Sequence, residues 1–359
     1  MSDAWKNRLT DHSAADGLVP LEALDPREVR DFDGLLRAMA RTSFGGRRLG
    51  EAADVLEAMV RDPDCRVVLT LSGAMTVAKM NLVIAEMIQR GWVDAVVSTG
   101  ALMTHGLVEL AGMSHYKARS GVDDADLFER GYNRVYDTYE LEANLNRLGE
   151  VVARHVVPRL RAGFGSADVL RVFGAWLDEQ APGARGPVAE AFRREVPIFV
   201  PAFTDSEMGL EVCTAAVARH MAALGCSRDE ALDELQVGFD PYRDLVRYTR
   251  FVAEAPRLGI FTIGGGVPRN WAQQAPPFLD CLSEALDDDG PRNRFTYGVR
   301  ICPEPVHWGG LSGCSYSEGV SWGKFAAPGE GGRYAEVHAD ATTVWPLLVA
   351  GVAQRLDRR

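Results

Sequence analysis

The sequence predicts an α/β fold, a doubly wound and mostly parallel Rossmann-like sheet with helices on both faces. Two observations carry that expectation. Short β-branched runs alternate with segments of helical apolar spacing along most of the chain. Four predicted strands also end in small or polar residues: Ser72-Gly73-Ala74, Ser98-Thr99-Gly100, Thr204-Asp205 and Gly264-Gly265-Gly266. In an open parallel sheet the ligand crevice lies outside the carboxyl ends of the strands, where such turns belong.

The elements follow in order. The first 27 residues are polar and are expected to form an arm, with residues 28–359 a single domain. Arg27 to Ala40 and Leu49 to Arg61 have apolar residues at helical spacing, including Val55, Leu56, Met59 and Val60. Arg66 to Leu71 is a β-branched run, turning at Ser72 into a helix over Thr76 to Gln89, and Val93 to Val97 is the next strand. That spacing is a βαβ unit with parallel pairing. Asp123 to Leu148 mixes charged and aromatic residues irregularly and is expected to be a long excursion at the mouth of the sheet or at a subunit contact. Helices are expected over Leu148 to Leu160 and Ala167 to Leu177, and an exposed loop over Ala181 to Pro187. Val196 to Phe203 is a strand, followed by helices over Gly209 to Leu224 and Asp240 to Ala255. Leu258 to Ile263 runs into the glycine triplet. Trp271 to Asp287 is expected to be a helix, Phe295 to Cys302 and Tyr334 to His338 strands, and Thr342 to Arg355 the last helix.

A chain of 359 residues with 47% apolar and 25% charged residues is long enough to bury a substantial core and has the balance of a soluble globular protein. No run approaches 18 apolar residues and the N-terminus is polar, so neither a membrane span nor a signal peptide is expected. The net charge of −11 leaves no basic stripe for a nucleic acid, and it suits a small polycationic substrate. The six cysteines show no disulfide framework and are expected to be reduced thiols in a cytoplasmic protein.

Only four of the 39 basic residues are lysines: Lys6, Lys79, Lys117 and Lys324. Lys324 stands in the segment 309–325, preceded by Ser321-Trp322-Gly323. A desolvated lysine amine can lose its proton and attack a carbonyl or imine, which arginine cannot do. Trp322 can supply an apolar wall that lowers the lysine pKa, and Gly323 allows close approach of backbone or ligand. A surface lysine that escaped replacement is the alternative.

Ser317-Glu318-Gly319-Val320-Ser321-Trp322-Gly323-Lys324 resembles the catalytic segment of deoxyhypusine synthase. Ile198 to Asp205, Gly264 to Val267, and Ala339-Asp340-Ala341 with Pro346-Leu347-Leu348 fit the same family in the same order, and the resemblance covers about residues 38 to 355. It implies that Lys324 forms an imine with the substrate's aminobutyl group. It also implies that NAD is held by Ser72, Gly73, Ala74, Ser98, Thr99, Gly100, Gly265, Gly266, Asp340 and Ala341. By itself the glycine triplet is not Gly-x-Gly-x-x-Gly, and tight packing of a strand–helix turn accounts for it equally. Asp205 and Glu318 match the family's anchors for substrate ammonium groups, with Trp322 along the methylenes or against an ammonium. A helix N-cap is the alternative for Asp205.

Two positions depart from the family. Asn270 stands where the family has a histidine beside the reactive carbon, and it cannot take a proton near neutral pH. Leu311 stands where the family carries an acidic substrate contact. The segment Cys302-Pro303-Glu304-Pro305-Val306-His307-Trp308 falls outside the family pattern. Cys302, His307 and Cys314 match no common zinc spacing, so no metal is assigned, and a Cys–His nucleophilic pair is a further alternative. Glu304 and His307 are expected at the rim of the active site, where His307 or His105 would supply the proton transfer that Asn270 cannot.

The resemblance implies an NAD-dependent transferase akin to deoxyhypusine and homospermidine synthases, with Lys324 capturing the aminobutyl portion of a polyamine such as spermidine and passing it to an acceptor amine. The short polar arm and the altered loop favour a small acceptor such as putrescine over a protein lysine. A catalytically reduced NAD-binding scaffold or sensor, and chemistry on a guanidino amine such as agmatine, are the competing readings. A homotetramer with shared active sites is expected.

Overall fold

The computed structural model describes residues 3–310 and 314–358. Six parallel strands form the central sheet: β1 (Cys65–Leu71), β2 (Ala95–Ser98), β6 (Ile198–Phe199), β7 (Arg257–Ile263), β8 (Phe295–Ile301) and β9 (Arg333–Val337). Their order is β6-β2-β1-β7-β8-β9. The chain winds outward from β1 in one direction and then, from β7, in the other. The order therefore reverses between β1 and β7, which is where an open α/β sheet forms its ligand crevice. The α/β expectation and the neighbouring placement of the four crevice strands both hold.

These strands were readable because both faces of the sheet are buried, which makes their sequences continuously apolar. Val67, Leu69 and Leu71 pack on one face with Leu56, Met59, Phe261 and Trp345. Val68, Leu258 and Ile260 pack on the other with Tyr248, Ala272, Phe295, Tyr316 and Phe325. Fully burying one such aliphatic side chain stabilises the fold by roughly 1.5–3 kcal/mol. On the second face Thr70 and Thr262 satisfy each other through a 2.9 Å hydroxyl–hydroxyl hydrogen bond across β1 and β7. No helix among the described residues is long and apolar enough to cross a membrane.

The structure corrects several boundaries. The strand expected over Val196 to Phe203 pairs only at Ile198–Phe199, and the following residues turn. The helix expected from Thr76 begins at Asn81, after a turn in which Lys79 takes φ +65°. The expected irregular excursion at 123–148 is ordered. β3 (Tyr116–Lys117), β4 (Tyr132–Val135) and β5 (Thr138–Leu141) form an antiparallel sheet in the order β3-β5-β4. The helix expected over Leu148 to Leu160 is Glu142–Val151, continued by a π-turn at Val152–Val156 and a 3-10 turn. The helix expected over Trp271 to Asp287 is two helices, Gly266–Gln273 and Ala275–Leu286. The break has a local cause. Pro276 has no N–H to offer the Ala272 carbonyl, and the buried Tyr248 hydroxyl donates to that carbonyl instead, at 3.1 Å.

Candidate active site

The carboxyl ends of β1, β2 and β7 meet at the reversal of strand order. Ser72 clasps two of them: its hydroxyl donates to Ile263 O at 3.1 Å and accepts from the Gly265 N–H at 2.9 Å. Gly264 has φ +77°, and a Cβ there would fall 2.3 Å from the Ser72 hydroxyl oxygen, so this turn admits only glycine. The helix Gly100–Leu110 begins at Thr99 and the helix Gly266–Gln273 at Gly265, neither with a side-chain cap. Their first-turn N–H groups are left for another acceptor, and two open helix N-termini flanking β1 fit the pyrophosphate of a dinucleotide. Asp340, at the end of β9, is occupied by its own helix, accepting from the Thr343 N–H at 3.2 Å and from the Thr342 hydroxyl. Those hydrogen bonds hold its carboxyl below the usual range. The Ala341 side chain faces the core.

Beside β1 and β2 opens a cavity of about 590 Å³, lined by Gly73, Ala74, Thr99, His105, Asp205 and Glu207 among others. The N-cap alternative for Asp205 does not hold. Ser206 caps the helix Glu207–Leu224, accepting from the Gly209 N–H at 3.1 Å, and Asp205 is exposed at the cavity.

The lysine group is built separately. The short helix Tyr316–Ser321 ends in a Schellman motif: the Gly323 N–H donates to Val320 O and the Lys324 N–H to Gly319 O, both at 3.0 Å. Gly323 takes φ +67°, so this glycine serves the helix end. The close approach expected of it is not seen: the nearest groups to a Cβ there would be the Arg294 and Asp280 side chains, at 3.5 and 3.6 Å. The Phe295 N–H then donates to Lys324 O at 3.1 Å, tying the lysine to the start of β8. Lys324 is 7% exposed, and its Nζ donates to Asn270 Oδ1 at 3.1 Å.

Burial pushes the Lys324 ammonium pKa down; Cys314 opposes, the Arg269 guanidinium reinforces, and Glu318 opposes. Trp322 is not the wall expected of it. It is 64% exposed, with its ring centroid 5.8 Å from Nζ. The desolvation comes from burial of the side chain itself.

Lys324, Asn270, Trp322 and Glu318 are thus brought together, as are the strand-end residues, Asp205 and His105. Glu304 and His307 join neither group: His307 sits on an exposed turn against Trp308, and Glu304 packs on Gly310. Leu311 lies outside the described residues. Cys302 is buried at the end of β8, while burial pushes the Cys314 thiol up.

Sequence reasoning missed Arg300. It is buried, and it ties the glycine turn to the lysine segment through Gly264 O at 3.4 Å and Cys314 O at 3.0 Å. It also missed Glu140 and His115, which converge on His105 from 35 and 10 positions away. No local pattern marks so distant a pairing.

A switch-point crevice flanked by two helix N-termini without side-chain caps, together with a buried lysine, defines the class of α/β protein. The chain belongs to the deoxyhypusine synthase family, whose model matches residues 34–352. Probable deoxyhypusine synthase 2 of Methanosarcina mazei is 31% identical over 337 residues, covering 94% of this chain and 90% of that protein. A deoxyhypusine synthase-like protein of Chlorobaculum tepidum is 31% identical over 320 residues, covering 89% and 85%. Among solved structures, one from Entamoeba histolytica assigned as a deoxyhypusine synthase shares the fold, with a TM-score of 0.56 at 13% identity over 92% of this chain and 96% of that one. A structure described as the ternary complex of AgrE with ornithine and NAD+ shares the fold at a TM-score of 0.50 and 13% identity, over 89% of this chain and 35% of that one.

Proposed function

We propose that this protein transfers an aminobutyl group from a spermidine-like polyamine, through an imine at Lys324, to a small acceptor amine. The observation that carries this reading is the Lys324 amine: it is buried, and its hydrogen-bond partner is a neutral amide. The family is one of aminobutyl transferases and is generally NAD-dependent, and the open helix N-termini at Thr99 and Gly265 are where the dinucleotide's phosphates would sit. NAD bound there supplies hydride acceptance from the carbon next to an amine nitrogen and returns the hydride later.

The chain's own residues do the rest. Asp205 anchors one ammonium end of the polyamine in the cavity, and Glu318 the other. The unprotonated Lys324 amine attacks the oxidised carbon, and the smaller amine leaves. Asn270 orients Nζ by accepting one of its hydrogens. The acceptor amine then displaces Lys324. Trp322 and Trp308 are exposed beside this segment, and Lys324 is not among the residues lining the cavity that contains Asp205. Both features support a site shared between copies of the chain, with the lysine group of one completing the cavity of another.

Mass spectrometry of products from purified protein with NAD, spermidine and putrescine tests the reading. Homospermidine and 1,3-diaminopropane are expected. Agmatine as the amine, or a translation-factor lysine as the acceptor, are the comparison reactions. Product from the translation-factor lysine, with none from putrescine, overturns the small-acceptor reading; product from agmatine alone replaces putrescine with a guanidino amine. Mixed oligomers of Lys324→Ala and Asp205→Ala chains should recover activity that neither variant shows alone, because a shared site leaves some sites with both residues.

A further inference from the structure

We propose that His105 is the proton-exchanging residue of the cavity, fixed through one ring nitrogen by the buried Glu140 and free at the other to take the proton of the polyamine's secondary ammonium; this rests on the polyamine reading above. Lys79 pairs with Glu109, so its ammonium has only donors to offer. Its 3.0 Å contact makes His115 Nδ1 the acceptor, with Glu109 Oε1 3.5 Å from the same nitrogen, and leaves the proton on Nε2, which lies 2.5 Å from Glu140 Oε2 but outside hydrogen-bond alignment.

The other oxygen, Glu140 Oε1, is filled by Asn144 Nδ2 at 2.9 Å and the Leu141 N–H at 3.1 Å. Glu140 is fully buried. Burial alone would raise its pKa, but hydrogen bonds from His105 and Asn144, with the close approach of His115, outweigh it and hold the group at about 2. A buried carboxylate has no proton to give, so His105 Nδ1, 3.4 Å from Oε2, is the donor. His105 Nε2 is then the basic nitrogen. The cavity that His105 lines also holds the carboxylates Asp205 and Glu207.

The nitrogen and oxygen ligand atoms of His105, His115 and Glu140 lie within 4.8 Å of one another and resemble a divalent-metal site. The Lys79 ammonium argues against one. It fixes a proton on His115 Nε2, the nitrogen a metal would need, and it adds a cation beside the cluster. A positioned imidazole base, with Glu140, His115 and Lys79 holding its orientation, fits all four side chains.

The chemistry balances. The N–H bond of the secondary ammonium breaks as the bond from His105 Nε2 to hydrogen forms, which leaves the amine lone pair able to drive oxidation of the adjacent carbon. Glu140 stabilises the resulting imidazolium, as the aspartate does in a Ser-His-Asp triad. When Lys324 displaces the smaller amine, that amine takes the proton back and His105 returns to neutral. Asn270 can do neither step.

The test uses the full-length protein with His105→Ala, His105→Gln and Glu140→Gln. A positioned general base contributes about 10²–10⁴-fold, so aminobutyl transfer in His105→Ala should fall by that order. Imidazole should restore it in proportion to its free-base concentration, a response that a purely structural role would not give. In both His105 variants the acid limb of kcat/KM should lose its imidazole component and keep only the one set by Lys324. His105→Gln, which keeps much of the side-chain shape, covers the case where alanine disturbs folding.

Carbethoxylation with peptide mapping needs no turnover. His105 should be modified and His115 spared, spermidine should slow the reaction, and Glu140→Gln should lower the pH at which His105 becomes reactive. Full activity in His105→Gln, an unchanged pH profile, or stoichiometric zinc in the purified protein that is lost in His105→Ala would each overturn the proposal. If wild-type protein consumes no polyamine, the functional reading falls and this proton transfer falls with it. If wild type turns over polyamine and the His105 variants do so equally well, this inference alone falls.

Discussion

Lys324 and Lys79 are two of only four lysines in the chain, and they illustrate opposite uses of one side chain. Both depend on left-handed backbone: Lys79 itself adopts φ +65°, and Lys324 follows Gly323 at φ +67°. The difference lies in what the ammonium meets. Lys79 meets the Glu109 carboxylate and a histidine nitrogen, while Lys324 meets the carbonyl of an amide. Two opposite charges about 4 Å apart near a protein surface attract by roughly 4 kcal/mol, and a neutral amide offers no comparable hold on the proton. Burial therefore shifts Lys324 towards its reactive neutral form, whereas the carboxylate commits Lys79 to the charged donor role on which the His115 tautomer depends. Position brings a lysine into a site; the charge of its partner decides whether it can act as a nucleophile there.

The largest expected effect comes from removing the free amine. Lys324→Arg should fold and bind NAD normally while losing group transfer by several orders of magnitude, because a guanidinium with a pKa above about 12 forms no imine. Borohydride added during turnover should trap an aminobutyl adduct on the wild type, and peptide mapping should place it on Lys324. An adduct on Lys79 would invert the comparison.

Asn270→Asp would give Lys324 the kind of partner Lys79 has. A carboxylate within hydrogen-bond reach raises a neighbouring amine's pKa by about 1–3 units. Transfer at neutral pH should therefore drop about 10- to 1000-fold, with the deficit shrinking as pH rises. The sign for the wild type follows from the lowered Lys324 pKa. Between the folded and the higher unfolded value the unfolded chain binds more protons, so this group's contribution to stability is greatest at high pH and falls as pH drops through that window. A pH–rate profile of Asn270→Asp identical to that of the wild type would mean that Asn270 does not govern the amine.

Glu140 titrates in the same sense, in a more acid window. Its folded pKa of about 2 lies below the ordinary value of 4.5, so the stability it contributes is complete above about pH 4.5 and is lost as pH falls towards 2. Glu140→Gln should lower the melting temperature at neutral pH and flatten its dependence on pH across that acid range; calorimetry between pH 2 and 5 checks this. The smallest effect is expected from Gly323→Ala. Strain at φ +67° should cost on the order of 1 kcal/mol, a melting shift of a few degrees, with a larger proportional loss in kcat because Lys324 is displaced. A stability change without a kcat change would separate the turn from the chemistry.

The crevice half of this comparison was legible in the sequence. Strands buried on both faces read as β-branched runs, and the small residues at their ends marked the crevice. Lys324 was legible because lysine is so scarce in the chain. The Glu140 half was not. The short strands of its antiparallel sheet show no clean alternation, and a glutamate is buried there only because two histidines and an asparagine reach it from other elements. The split at Gln274 was within reach, since Pro276 and Pro277 stand just beyond it. The role of Tyr248 in completing that break depends on tertiary contact and has no local signature.

The main-chain tether of Lys324 separates reagent from recognition. Its place is set by peptide groups of Gly319 and Phe295, whereas Ser317, Glu318, Ser321 and Trp322 turn their side chains outward. Those outward positions are free to drift without shifting the reactive nitrogen, provided that Gly323 stays glycine. Substrate range in such a scaffold can therefore diversify by surface substitution alone while one covalent step is inherited unchanged.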